Sequence, residues 1–242
     1  MASVSHPTPT IELVRTASQR LVRTVDSLDD DAWALSSLLP GWSVAHVAAH
    51  LALNAEALTG VLVGIVEGEP VTMYASVEAR DADIEELAKA EPAQIRDRVM
   101  ASVTTFEDAV HALPADRAGT VIERTPGAAM TFPAGAVASM RLREVEIHHA
   151  DLGAALTGGY SPADWPAEFT VVLLDHQVKR YDGPGFRAEA TDLGRTWEFG
   201  TPGPTVSGPG HELAWWGTGR APYPGTTGPV SDDGVLPGIE EM

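Results

Sequence analysis

The chain has 242 residues, of which 44% are hydrophobic and 21% charged, and this composition is typical of a globular protein rather than a disordered one. Its formal net charge of −18 argues against binding to nucleic acid or to anionic membrane surfaces, because an acidic surface repels phosphate groups. The absence of cysteine excludes a disulfide scaffold, a cysteine nucleophile and thiolate metal ligands. Any thiol chemistry therefore needs an external thiol.

Four long helical regions are predicted in the first 160 residues from apolar side chains that recur at helical spacing. They span residues 9–28, 44–66, 76–113 with a restart at Pro92, and 133–156. Ser43 is suited to cap the second helix, and Pro133 is suited to the first turn of the last one. Residues 116–131 are predicted to be irregular. Helices of this length favour an antiparallel four-helix bundle.

The pattern changes after Gly159. A helix is expected over residues 166–181, strands over 186–193, 196–199 and 205–207, and a short helix over 212–218. The Gly- and Pro-rich tail over residues 222–242 is expected to be loosely ordered. The sequence therefore predicts a mainly α protein, with a helix-bundle domain over residues 1–160 and a small α+β domain over residues 161–242.

The sequence also bears on location. The N-terminus has no basic segment followed by an apolar stretch, so we predict no signal peptide. The most apolar stretch, residues 51–66, is interrupted by Asn54 and Glu56 and falls short of the roughly 18 apolar residues of a membrane span. We expect a cytoplasmic monomer that binds small molecules.

Two predicted helices carry metal-type side chains four residues apart. His46 and His50 share one helix face, while Glu144 and His148 share another, with Asp151 close to that stripe. A pair from one helix and a third ligand from its neighbour would make a His₂–carboxylate set whose fourth position stays open, as in catalytic zinc sites. The same spacings also occur in surface histidines and exposed helix salt bridges, so spacing alone leaves both interpretations open.

Several segments resemble the mycothiol-dependent maleylpyruvate isomerases, within the wider DinB-like superfamily of metalloenzymes. They are GWSVAHVAAHLALNAEAL, VTMYASVEARDADI and MRLREVEIHHADLG, while VSGPGHELAWWGTGR resembles that family's small C-terminal domain. The resemblance covers nearly the whole chain. MYASVEAR is the segment that indicates the isomerases most narrowly.

The resemblance implies roles for particular residues. The family's zinc ligands correspond to His50, Glu144 and His148. Its substrate-binding and catalytic arginine corresponds to Arg80, which without the resemblance would be interpreted as a surface residue among acidic neighbours. We expect His46 to have a supporting or structural role, because a fourth protein ligand would close the site, and Asp151 to orient a ligand.

The resemblance also implies a reaction, the conversion of maleylpyruvate to fumarylpyruvate by thiolate addition, rotation and elimination. Mycothiol would supply the thiol, zinc would lower its pKa, and Arg80 would pair a substrate carboxylate or the developing enolate. Two alternatives stay open. One is a mycothiol S-transferase that releases the adduct as product, and the other is a non-enzymatic DinB-like metal-binding protein.

Overall fold

A computed structural model of the chain describes residues 8–69 and 71–239, which divide into two units, Met1–Gly159 and Tyr160–Met242. Residues 1–7, on which the prediction of no signal peptide partly rests, lie outside the described residues. The last three residues of the predicted tail, 240–242, also lie outside them. Each unit has its own buried core.

Helices form most of the first unit. They are α1 (Thr8–Asp26), α2 (Val44–Glu67), α3 (Val77–Leu87), α4 (Pro92–Ala112) and α5 (Val137–Gly153). Both α1 and α2 pack against α4 and α5, while α3 packs against α2. The predicted helix bundle is therefore confirmed.

Helix α2 is the central core helix of this unit. The expectation that the stretch over residues 51–66 falls short of a membrane span is wrong by length and composition alone, but 61% of the most apolar window of α2 is buried inside the protein. Leu51, Leu58 and Leu62 are fully buried. The helix begins at the Ser43 cap and ends at Gly68, whose φ of 82° is the left-handed conformation that glycine adopts without strain. A helix that is apolar on most faces is typical of a bundle core.

The region before α5 differs from the prediction. Residues 116–131 are not wholly irregular, because β1 (Val121–Glu123) pairs antiparallel with β2 (Thr131–Pro133). Pro133 ends β2 instead of opening the helix, and a single 3₁₀ turn over Ala134–Ala136 leads into α5. Three-residue strands are too short for their alternation to be recognised in sequence. The helix also ends at Gly153, before the predicted residue 156.

The β1–β2 hairpin also holds the segment that precedes α3. The backbone N–H of Met73 donates to the carbonyl of Glu123 at 3.0 Å, and that of Tyr74 donates to the carbonyl of Arg124 at 2.9 Å. The Ser76 hydroxyl then caps α3 by accepting from the Ala79 N–H at 3.0 Å. These bonds fix where α3 starts relative to the bundle.

The second unit is a small α+β structure, as predicted. Its elements are α6 (Ala167–Arg180), β3 (Phe186–Ala190), β4 (Arg195–Phe199), β5 (Thr205–Gly208), α7 (Gly210–Trp216) and β6 (Val230–Ser231). The strand order is β4-β3-β5-β6, with β3 and β5 parallel and the other pairs antiparallel. Strand β6 lies in the tail that was expected to be loosely ordered, and that expectation is wrong over these residues because they pair with β5.

The burial of α2 gives a stability prediction. Leu58→Ala should lower the free energy of unfolding by about 2–5 kcal/mol, because it removes a fully buried side chain and leaves a cavity. The matched control is Val63→Ala on the same helix, where the side chain is 39% exposed and the change should stay within about 0.5 kcal/mol. Urea denaturation measures both. Equal effects of the two substitutions would contradict the assigned core face of α2.

Candidate active site

Helices α2 and α5 bring three metal-type side chains to one point. His50 Nε2 lies 2.9 Å from Glu144 Oε2, and His148 Nε2 lies 3.6 Å from the same oxygen. One ligand atom from each of the three residues lies within 4.8 Å of the other two. Two imidazole nitrogens and one carboxylate oxygen at this separation match the donor set of an open, three-ligand zinc site.

Protonation at this cluster also suits a metal. Burial lowers the pKa of His50 to about 4, although its hydrogen bond with Glu144 opposes the shift. Burial acts to raise the pKa of Glu144, but the hydrogen bond from His50 and the charges of His50, His148 and Arg141 outweigh it and hold this pKa well below its ordinary range. A neutral imidazole and an ionised carboxylate are the forms that coordinate a metal.

Asp151 contacts one of the three side chains. Its carboxylate is fully buried and lies 2.8 Å from His148 Nδ1. A proton on Nδ1 donated to this carboxylate leaves the lone pair of His148 Nε2 directed toward the cluster. Hydrogen-bonded carboxylates commonly fix the ring and the tautomer of a metal-ligating histidine in this way.

His46 makes a different set of contacts. Its Nδ1 accepts a hydrogen bond from the Ser43 backbone N–H at 3.2 Å and lies 2.8 Å from the Ser43 hydroxyl, which closes the N-terminal cap of α2. Its Nε2 lies 3.5 Å from Glu85. The Trp42 ring stacks on the His46 ring and also contacts His50, at centroid distances of 6.3 and 5.7 Å. Through this cap His46 holds the start of the helix that carries His50.

Arg80 reaches the cluster from α3. Its Nη2 lies 3.3 Å from His50 Nδ1, its Nη1 donates to Asp81 at 2.7 Å, and its side chain is only 20% exposed. Arg80 Nε is buried and has no hydrogen-bond partner within the described part of the chain. The interpretation of Arg80 as an ordinary surface arginine is therefore wrong.

Two buried polar residues lie close to the cluster, and the sequence analysis missed both. Arg141 Nη1 donates to the Leu51 carbonyl at 2.8 Å and to Asn54 Oδ1 at 2.9 Å. Burial lowers the pKa of Arg141 to about 10, with Glu144 opposing the shift, so the guanidinium stays charged at neutral pH. The signal was available, because Asn54 follows His50 by four residues and Arg141 precedes Glu144 by three, which places each on the face of its neighbour.

Tyr74 is a third residue that the sequence analysis did not single out. Its half-buried ring lies 5.9 Å from the guanidinium carbon of Arg80 and 6.0 Å from that of Arg124. Burial and the charge of Glu144 raise the pKa of the Tyr74 hydroxyl, so it remains protonated and can donate a hydrogen bond. The hairpin contact helps to place Tyr74 here, and the one signal in the sequence was its position in the segment MYASVEAR.

The fold and the cluster together define a class of protein. It is a helix-bundle protein of the DinB-like type, with a candidate His₂–carboxylate metal site on two helices and an arginine from a third. The family described as "Mycothiol maleylpyruvate isomerase N-terminal domain" matches residues 14–153, more than half of the chain. The chain belongs to this family.

Solved structures agree with this assignment along nearly the whole chain. One is the crystal structure of the mycothiol-dependent maleylpyruvate isomerase, which is 26% identical, covers 97% of this chain and 96% of that one, and has a TM-score of 0.83. Another is a histidine-to-alanine mutant of a mycothiol-dependent maleylpyruvate isomerase, with 25% identity, the same coverage and a TM-score of 0.82. A search of curated proteins finds no significant match.

The donor cluster predicts metal content. Purified protein should carry about one zinc per chain, and His50→Ala or His148→Ala should lose it, because two protein ligands hold zinc much more weakly than three. The control is His111→Ala, since His111 is exposed on α4 and its Nδ1 bonds the Glu107 carbonyl. Elemental analysis after gel filtration measures zinc per chain. Full zinc content in both cluster variants would disprove the assignment of ligands.

Proposed function

We propose that this protein is a zinc- and mycothiol-dependent maleylpyruvate isomerase, cytoplasmic and monomeric, that converts maleylpyruvate to fumarylpyruvate. The observation that carries the proposal is the direct contact of Arg80 with a His₂–Glu donor cluster. Membership of the family supports it, and so does the similarity to solved isomerases along 97% of the chain. The chain has no cysteine, so the thiol that this reaction needs must come from outside.

The donor set fits zinc. His50 Nε2, a carboxylate oxygen of Glu144 and His148 Nε2 would hold the ion and leave a position open. When bound, zinc would lower the pKa of a small thiol so that the thiolate is available near neutral pH. The remaining chemistry depends on the side chains around the cluster.

Metal binding also changes what Arg80 can do. In this structure His50 Nε2 donates to Glu144 while His50 Nδ1 accepts from Arg80. A metal on Nε2 requires the ring proton on Nδ1, and an N–H group cannot accept a hydrogen bond from a guanidinium. We infer that Arg80 is then released to bind an anion from the substrate.

The reaction needs a stabilised enolate. Thiolate adds to the carbon–carbon double bond, and the electron pair moves onto the adjacent carbonyl oxygen. After rotation about the new single bond, the returning pair expels the thiolate and restores the double bond in the trans form. Arg80 is positioned to stabilise the enolate oxygen or a carboxylate through charge-assisted hydrogen bonds. The enolate does not need to be protonated, because the double bond is restored when the thiolate leaves.

One observation favours a second candidate function. A mycothiol S-transferase would use the same cluster and thiol, but it must protonate the enolate so that the adduct becomes the product. The Tyr74 hydroxyl, which stays protonated near Arg80 and Glu144, is a candidate donor for that proton. Product analysis by mass spectrometry separates the two functions, because the isomerase returns free thiol and the transferase consumes it.

Thiol dependence provides a direct test of the proposal. Turnover of maleylpyruvate should require added mycothiol, and prior treatment of the protein with iodoacetamide should leave the rate unchanged, because the chain has no cysteine to alkylate. The measurement is the change in absorbance as maleylpyruvate becomes fumarylpyruvate. Isomerisation at the same rate without any thiol would refute the addition–elimination mechanism.

Arg80 gives the second test of this function. Arg80→Ala should lower kcat/KM by roughly 10²–10³, by analogy with the removal of one oxyanion donor. Arg80→Lys should not restore it, because an ammonium group cannot reproduce a two-pronged guanidinium contact. Zinc content should be unchanged, since a guanidinium is not a metal ligand.

The matched control for Arg80 is Arg98→Ala. Arg98 is paired with Glu56 on the exposed side of α4, so this variant also removes one positive charge but should keep a near wild-type rate. A near wild-type rate for Arg80→Ala would show that Arg80 takes no part in the reaction. Loss of zinc or of folding in Arg80→Ala would instead assign it a structural role.

A further inference from the structure

Arg124 is a second guanidinium near the candidate active site that has no assigned role. It follows β1, and its backbone carbonyl accepts the Tyr74 N–H at 2.9 Å. Its side chain is half-buried, and its Nη1 donates a long hydrogen bond of 3.6 Å to Met130 Sδ. Within residues 8–69 and 71–239, no carboxylate lies within ion-pair distance of Arg124. Its charge is available to a ligand.

Arg80 and Arg124 both lie about 6 Å from the ring centroid of Tyr74. Their guanidinium carbons are therefore at most about 12 Å apart, the sum of the two printed distances. The negative face of a tyrosine ring attracts cations at this range and helps to hold them in place. Arg80 also contacts His50, whereas no contact between Arg124 and the three cluster residues is seen within residues 8–69 and 71–239.

We propose that Arg80, Tyr74 and Arg124 form a dicarboxylate-binding site, in which Arg80 takes the end of the substrate near the reacting double bond and Arg124 takes the distant carboxylate. This deepens the proposed function and rests on it for the identity of the substrate. Maleylpyruvate carries a carboxylate at each end, which matches two guanidiniums that both lie within about 6 Å of the Tyr74 ring centroid. Arg124 is then a specificity-determining residue of the site.

The chemistry of the side chains supports this assignment. A planar guanidinium forms two parallel hydrogen bonds with a carboxylate, so two guanidiniums near one ring can give such bonds to both ends of a ligand. The backbone bond between Tyr74 and Arg124 ties the ring to the hairpin, so little ordering is needed on binding. A site for neutral electrophiles would have no use for the second cation.

The test measures binding without turnover. Pimelate is a saturated dicarboxylate with as many chain carbons as maleylpyruvate, and heptanoate is its monocarboxylate counterpart. Calorimetry on the zinc-loaded protein, without thiol, should show that pimelate binds more tightly than heptanoate. Arg124→Gln should weaken pimelate binding roughly 10- to 100-fold, the effect of losing hydrogen bonds to a charged group, and leave heptanoate binding unchanged.

Two further variants make the result specific. Arg117→Gln removes the same charge from an exposed position just before β1 and should leave the preference for pimelate intact. Arg124→Lys keeps the charge but not the two-pronged contact, and it should bind pimelate several-fold more weakly than the wild type. Unchanged pimelate affinity in Arg124→Gln or Arg124→Lys, or an equal loss for both ligands, overturns the proposal.

The outcome is independent of the isomerase assay. If the protein prefers pimelate through Arg124 but does not isomerise maleylpyruvate, the dicarboxylate site is supported and the proposed function is refuted. If the protein isomerises maleylpyruvate but shows no Arg124-dependent preference for pimelate, the proposed function is supported and the role of Arg124 is refuted. KM for maleylpyruvate should rise in Arg124→Gln with a smaller change in kcat, because the distant carboxylate is bound equally in the ground and transition states.

Discussion

The contact between His50 and Glu144 is the interaction on which the rest of this site depends. It joins two core helices, α2 and α5, through a buried imidazole and a carboxylate 2.9 Å apart. Polar groups at such a position destabilise a bundle unless each has a partner. Arg141 and Asn54 form a further hydrogen bond between α5 and α2, and Asp151 contacts His148. The bundle thus tolerates a polar centre because most of these groups are paired, although Arg80 Nε and Arg141 Nη2 have no hydrogen-bond partner within the described residues.

A second feature is the local reversal of charge. The chain carries a formal charge of −18, so its mean field repels anions. Around the cluster, however, Arg80, Arg124 and Arg141 approach from α3, the hairpin and α5. A small anion can meet guanidinium donors there. This contrast favours an anionic substrate at the site and disfavours extended polyanions elsewhere.

Helix positions followed from periodicity and capping, and the clearest cases were α2 and α4. The i, i+4 pairs His46/His50 and Glu144/His148 were visible in the sequence because helical spacing alone places each pair on one face. The β1–β2 hairpin was not visible, since three-residue strands depend on their partners and not on a pattern of their own. Strand β6 was missed for the same reason, because its two residues are defined by pairing with β5, from which helix α7 and a loop separate them in the chain.

By itself, the sequence determined which residues could ligate a metal, that the thiol must be external, and, through its resemblance to a known family, that Arg80 belongs with the cluster. Only the tertiary structure decided that His50 meets Glu144, that His46 caps a helix, and that Tyr74 lies near two guanidiniums. The physical reason is the separation along the chain between the residues that interact. Helical spacing and capping act over three or four residues, whereas these contacts join α2 to α5 and the hairpin to α3, and they form only when apolar faces far apart in the chain are buried together.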